Sequence, residues 1–141
     1  MPSTQLHASC VSIDGKGVLL LGASGSGKSD LALRLIDGGA QLVADDRVDV
    51  LRQDETLIAS APENLRGMLE VRGVGIVRLP YSAQISLSLA VRLVDRDEVE
   101  RLPEPKVWDC LGVQLPVLSL HAFDVSAPAK IRIALCKELL P

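Results

Sequence analysis

The sequence predicts a strand-rich α/β domain with an antiparallel opening, folded around a phosphate-binding loop. Three observations point there. Gly22-Ala23-Ser24-Gly25-Ser26-Gly27-Lys28-Ser29 has the spacing G-x-x-x-x-G-K-[ST], flanked by an apolar run and a helical pattern. Asp14-Gly15 between two apolar runs signals a hairpin, so the chain opens antiparallel, unlike a doubly wound sheet. Only two stretches are long and periodic enough for helices, against roughly ten short apolar or alternating runs. Few helices therefore remain to cover both faces of a sheet.

In chain order, residues 6–13 read as a strand, and Asp14-Gly15-Lys16-Gly17 as the turn into a second, Gly17-Val18-Leu19-Leu20-Leu21. After the loop a helix is expected over 28–37, with Leu31, Ala32, Leu35 and Ile36 at helical spacing and Gly38-Gly39 ending it. Gln41-Leu42-Val43-Ala44-Asp45-Asp46 is an apolar strand that ends in two carboxylates. Residues 47–52 and 56–59 form an expected hairpin about Gln53-Asp54-Glu55, and 61–65 a Pro-containing connector with one helical turn. Short strands over 68–72 and 76–79 flank Gly73 and Gly75, and 80–83 is a turn. Residues 86–93 alternate Leu87, Leu89, Val91 and Leu93 with Ser86, Ser88, Ala90 and Arg92, the mark of a strand buried on one face. A charged loop over 95–101, closed by Pro103 and Pro105, precedes a last pair of strands, 106–111 and 113–120, about Gly112. The closing helix is expected over 127–139, with Ser126 as its N-cap and Pro128 in its first turn.

The 141 residues suffice for one domain, 1–141, with a sizeable core. Hydrophobic and charged fractions of 48% and 23% are those of a soluble globular protein. A net charge of −3 gives no general pull toward nucleic acid or an anionic membrane, so anion binding must be local. Tyr81, Trp108 and Phe123 are too few for a platform that stacks single strands. Cys10, Cys110 and Cys136 are odd in number and lack C-x-x-C spacing, which argues against a disulfide framework and a structural zinc. Reduced, partly buried thiols are expected instead. With no signal-peptide pattern and no apolar run of about 18 residues, the expected location is the cytoplasm.

The chemistry starts at the loop. Its glycines admit positive φ and let backbone N–H groups approach phosphate oxygens, while the helix N-terminus adds free donors and partial positive charge. Lys28 is expected on the β- and γ-phosphates, and the Ser29 hydroxyl on a Mg²⁺. Asp45 and Asp46 stand at a strand end after the loop's helix, where an acid serves the metal. Neighbouring carboxylates on an extended chain point opposite ways, so one is expected as base and the other on metal, loop or a structural hydrogen bond. Glu70 and Arg72, placed on one side of a strand, suit metal plus phosphate or an exposed ion pair. His7, alone at a strand start, suits a structural or a catalytic role.

Taken together, His7, the stretch from Gly22 to Ser29, Leu42-Val43-Ala44-Asp45-Asp46 and Leu69-Glu70-Val71-Arg72-Gly73-Val74-Gly75-Ile76 resemble the catalytic domain of HPr kinase/phosphorylase. The last stretch is similar to that family's E-[IV]-R-G-x-G-[IV] signature. The resemblance implies a P-loop fold akin to phosphoenolpyruvate carboxykinase, with mixed sheets, and ATP-dependent phosphorylation of a serine of the phosphocarrier protein HPr within the phosphotransferase system. It further implies that Lys28 binds the transferring phosphates, that Ser29 and Glu70 hold Mg²⁺, and that His7 assists. Asp46 is the implied proton acceptor, with Asp45 as second candidate. The family's late Pro-Gly-Arg-Asn segment does not occur; Ser119-Leu120-His121-Ala122-Phe123 stands in that region. Phosphorolysis of phospho-HPr and a homo-oligomer are therefore left open. The chain is similar to short forms that lack the family's N-terminal domain, as in alpha-proteobacteria. The rival expectations are a small-metabolite kinase or ATPase on the same loop, and a nucleotide-sensing module without turnover. An ABC-type ATPase is disfavoured, since no L-S-G-G-Q occurs.

Overall fold

The computed structural model describes residues 1–137 and Leu140. In chain order it forms β1 (Ser3–Leu6), β2 (Ala8–Ile13), β3 (Lys16–Leu21), α1 (Lys28–Asp37), β4 (Gln41–Ala44), β5 (Val48–Gln53) and β6 (Thr56–Ser60). There follow β7 (Met68–Val71), β8 (Gly75–Arg78), β9 (Ile85–Leu93), β10 (Lys106–Cys110), β11 (Val113–Leu120) and α2 (Ala127–Cys136). Single 3-10 turns occupy Glu63–Leu65 and Arg96–Glu98.

Nine strands make one branched sheet ordered β1-β5-β6-β9-β3-β2-β4, with the β10–β11 hairpin joined through β11. The longest strand, β9, is the junction. It pairs antiparallel with β6 through Ile85 and Ser86, and parallel with β11 through residues 90–93. It also runs parallel to β3, the strand that delivers the phosphate loop. The opening hairpin is antiparallel, as expected, so strand direction is mixed.

Both faces of the central strands are covered. On one face α1 and α2 pack Leu31, Leu35 and Ile131 onto Val11, Val18 and Leu20. On the other, Leu19, Cys10 and Val43 meet Val48, Val50 and Leu57 of the β5–β6 hairpin, and Val113 and Leu115 of β11. Strands thus do on the second face what the helices are too few to do.

Two strand expectations are corrected by this double core. The single strand over 6–13 is two strands broken at His7, because β1 pairs with β5 while β2 pairs with β3 and β4. One straight strand cannot serve both partners. The apolar alternation of β9 does not lie on one face either. A bulge between Leu87 and Leu89 shifts the register against β3, so Ile85 and Leu87 face the second core while Leu89, Val91 and Leu93 face the first.

Helix α1 has the expected span. Helix α2 carries Pro128 in its first turn, but Ser126 makes no side-chain cap hydrogen bond. The helix ends at Cys136, where Lys137 turns extended, short of the expected end at 139; residues 138–139 lie outside the described residues. Cys10 and Cys110 are buried, whereas Cys136 is exposed on α2 rather than partly buried. No helix among the described residues is long and apolar enough to cross a membrane.

Candidate active site

The phosphate loop leaves the end of β3 and enters α1 through Gly27, whose φ of +99° is left-handed. A side chain there would be strained, and its Cβ would lie 2.7 Å from Ala122 Cβ and 2.9 Å from Phe123 Cζ. Only glycine fits. The Lys28 side chain, 7% exposed, turns back over the loop and donates from Nζ to the carbonyls of Gly22 (2.7 Å) and Ala23 (3.1 Å). Within the loop, Ser26 Oγ is buried without a hydrogen-bond partner among the described residues.

Behind the loop, β4 brings Asp45 and Asp46. The two carboxylates have separate partners. Asp45 Oδ1 accepts from Ser29 Oγ (2.7 Å) and from Ser9 Oγ (2.8 Å), the latter hydroxyl fully buried on β2. Asp46 Oδ1 accepts from His7 Nε2 at 2.7 Å. The antiparallel pairing of β2 with β4 sets the start of one beside the end of the other, which places His7 and Ser9 next to the aspartates. The chain at Asp46 is not extended, as the sequence reading assumed. Arg47 N–H donates to the Asp45 carbonyl (2.8 Å), closing a tight turn about Asp46, whose φ is +69°. That turn points adjacent side chains to different places.

A third element closes the site. The two-stranded ribbon of β7 and β8 is not hydrogen-bonded into the main sheet. Its own base is closed where Leu79 N–H donates to the Gly67 carbonyl (2.7 Å), and just beyond it Tyr81 bridges to Leu42 of β4. Leu69 is fully buried, and the ribbon contacts α1 through β7. Glu70 therefore faces the cleft from β7. Arg72 reaches the same cleft from the turn after β7, not from the strand.

A cleft of about 390 Å³ gathers these groups. His7, Ser24, Gly25, Gly27, Lys28 and Ser29 line it, as do Asp46, Glu70 and Arg72. Gly22, Ala23, Ser26 and Asp45 are not on its wall; Asp45 lies behind Ser29 and is hydrogen-bonded to it. Two residues at the site had no motif to announce them. Ser9 is an unremarkable serine in an apolar strand, and Phe123 reaches the cleft from the β11–α2 loop, far along the chain. The sequence offers no signal for Ser9, and for Phe123 only that it is the single phenylalanine.

The donor set is compatible with a hard divalent cation. The Ser29 hydroxyl and the Asp45 carboxylate are already in contact, and the Glu70 carboxylate lies across the same cleft. A separate acidic group, Asp95, Asp97 and Glu98, is explained by helix capping, since Glu98 Oε1 accepts from Asp95 N–H (3.2 Å) in a capping box.

Residues 1–131 match the family model for the HPr serine kinase C-terminal domain. The HPr kinase/phosphorylase of Clostridium botulinum (strain Eklund 17B / Type B) is 51% identical over 130 residues, covering 84% of this chain and 43% of that protein. That of Geobacillus thermodenitrificans is 40% identical over 132 residues, covering 84% and 42%. The chain thus spans less than half the length of these curated relatives. Among solved structures, the Hpr(Ser) kinase/phosphatase from Coxiella burnetii superposes with a TM-score of 0.83 at 30% identity, over 94% of this chain and 93% of that one. With the loop, the paired aspartates and the ribbon signature all lying within the matched residues 1–131, the chain belongs to the HPr serine kinase C-terminal domain family.

Proposed function

We propose that this chain is a Mg²⁺-dependent serine kinase that transfers the γ-phosphoryl group of ATP to the phosphocarrier protein HPr, in the cytoplasm, as a regulatory step of the phosphotransferase system. The observation that carries this reading is the division of labour between the aspartates. Asp45 is engaged by Ser29 and Ser9, while Asp46 stands on the cleft wall beside His7. A kinase acting on an alcohol needs such a second carboxylate on the cleft wall; a phosphate-binding loop alone does not.

Each residue then has a task. The loop N–H groups and Lys28 bind the phosphates, for which Lys28 exchanges its two carbonyl partners for phosphate oxygens. Ser29, Asp45 and Glu70 are the groups that would hold Mg²⁺, which when bound neutralises charge on the transferring phosphate. Asp46 accepts the proton of the substrate serine, and His7 fixes its carboxylate in place. The relatives' names add phosphorylase to kinase, and the direction proposed here is the kinase one.

The test is incubation of the full chain with γ-labelled ATP, Mg²⁺ and HPr. Label is expected on an HPr serine and is expected to vanish in Lys28→Met with circular dichroism unchanged. Label in free phosphate or in a small hydroxyl compound, with HPr unlabelled, would overturn the reading in favour of an ATPase or metabolite kinase. ATP bound without turnover would overturn it in favour of a sensing module.

A further inference from the structure

We propose that Phe123 is a platform for the nucleobase of the bound nucleoside triphosphate, and so separates nucleotides from bare polyphosphates at this site. The proposal rests on the nucleotide-binding reading of the same cleft. Phe123 is one of three residues among Phe, Tyr and Trp in the chain, and the residue is 54% exposed, which forgoes the favourable burial such a side chain normally achieves. Exposure here does not come with looseness. From α1, the Arg34 guanidinium donates to the carbonyls of Ala122 and Asp124 (3.3 Å to the latter). Arg96 grips the Asp124 carboxylate through two nitrogens at 2.9 and 2.8 Å. His121 Nδ1 bonds the Val94 carbonyl (3.0 Å), and its ring meets the Phe123 ring edge-on, centroids 5.8 Å apart.

Arg34, Arg96 and His121 therefore fix the segment that carries this ring, and the ring stands half out of the protein. One edge of that ring abuts Gly27, where the phosphate loop becomes a helix, so the ring adjoins the groups that grip phosphate. A polyphosphate gripped by the loop leaves its nucleoside at the rim of the cleft. There, among the described residues, Phe123 supplies the one benzenoid ring, beside the aliphatic Leu33 and Val71. Every nucleobase has a π-face, so a ring of this kind stabilises all of them by stacking. Because the ring is positioned before ligand arrives, little ordering cost is left for binding. A platform without hydrogen-bonding groups also implies weak preference between ATP and GTP.

Calorimetric titration of the full chain with ATP, GTP and inorganic tripolyphosphate, each with Mg²⁺, tests this. Phe123→Ala is expected to weaken ATP and GTP about tenfold and to leave tripolyphosphate within about twofold of wild type. Phe123→Trp is expected to retain nucleotide affinity. Phe123→Leu keeps an apolar contact on Gly27 without a π-face, and is expected to lose nucleotide affinity as the alanine variant does. Unchanged ATP affinity in the alanine or the leucine variant would overturn the proposal, as would equal losses for ATP and tripolyphosphate, which would mean that the ring merely props the loop. A wild-type chain that binds neither ligand would overturn the nucleotide reading and this proposal with it.

Discussion

Asp46 owes its place to a backbone conformation that most residues avoid. At φ +69° it lies in left-handed space, which Asp and Asn tolerate and branched side chains resist. The turn it makes sends its carboxylate to His7 while Asp45, one residue earlier, turns to Ser29 and Ser9. Asp46→Asn keeps the size and the tolerance for that turn but removes the proton acceptor. Transfer to HPr is expected to fall about 10²–10⁴-fold with Mg-ATP affinity unchanged. Steady-state rates and a binding titration check both halves; a variant at wild-type rate would pass the role of base to Asp45. Ser9 belongs to the same scale. Its hydroxyl, fully buried, has the Asp45 carboxylate as its hydrogen-bond partner, and a buried hydroxyl without a partner is costly.

Among the elements, the β7–β8 ribbon bears most directly on the site, since it carries Glu70 and Arg72 but shares no ladder with the main sheet. Its position depends on its base. Gly67 has a φ of +73°, and a Cβ there would lie 2.9 Å from the Tyr81 ring and 3.0 Å from the Leu79 carbonyl. Gly67→Ala is therefore expected to lose at least about 1–2 kcal/mol of stability from left-handed strain alone, read as a lower urea midpoint. Phosphoryl transfer should fall as well, because the ribbon has to shift and takes Glu70 and Arg72 with it. An alanine variant with unchanged midpoint and rate would show that the ribbon is not held in this way. The break at His7 makes a similar point: a histidine at the junction of two strands that serve different partners is held beside Asp46 by pairings on both sides of it.

At the scale of the molecule, two hydrophobic cores share the central strands, and Cys10 lies in the second of them, fully buried. Burial raises its thiol above the ordinary 9.0, so the folded chain keeps a proton that the unfolded chain gives up. That contribution to stability is intact below pH 9.0 and is lost as pH rises beyond it. Urea unfolding should show a decline of up to about 1.4 kcal/mol per pH unit from this group above that point. In Cys10→Ala the decline is expected to be shallower, and equal slopes would count against the burial argument. Cys110 is shifted in the same direction, first by burial and then by the neighbouring Asp109 charge.

Much of this was legible in residue order because it depends on neighbours in the chain. The phosphate loop needs glycines at fixed spacing, the helix after it needs apolar residues at helical period, and Asp14-Gly15 makes its turn locally. The antiparallel opening and the family resemblance followed from such local patterns. Which aspartate meets Ser29 and which meets His7 did not, because that depends on a tight turn and on the pairing of β2 with β4. Nor could the alternation in β9 reveal its own bulge, which exists only against β3. Ser9 and Phe123 arrive at the cleft from distant segments, and only folding brings their hydroxyl and ring to the carboxylate and glycine they touch.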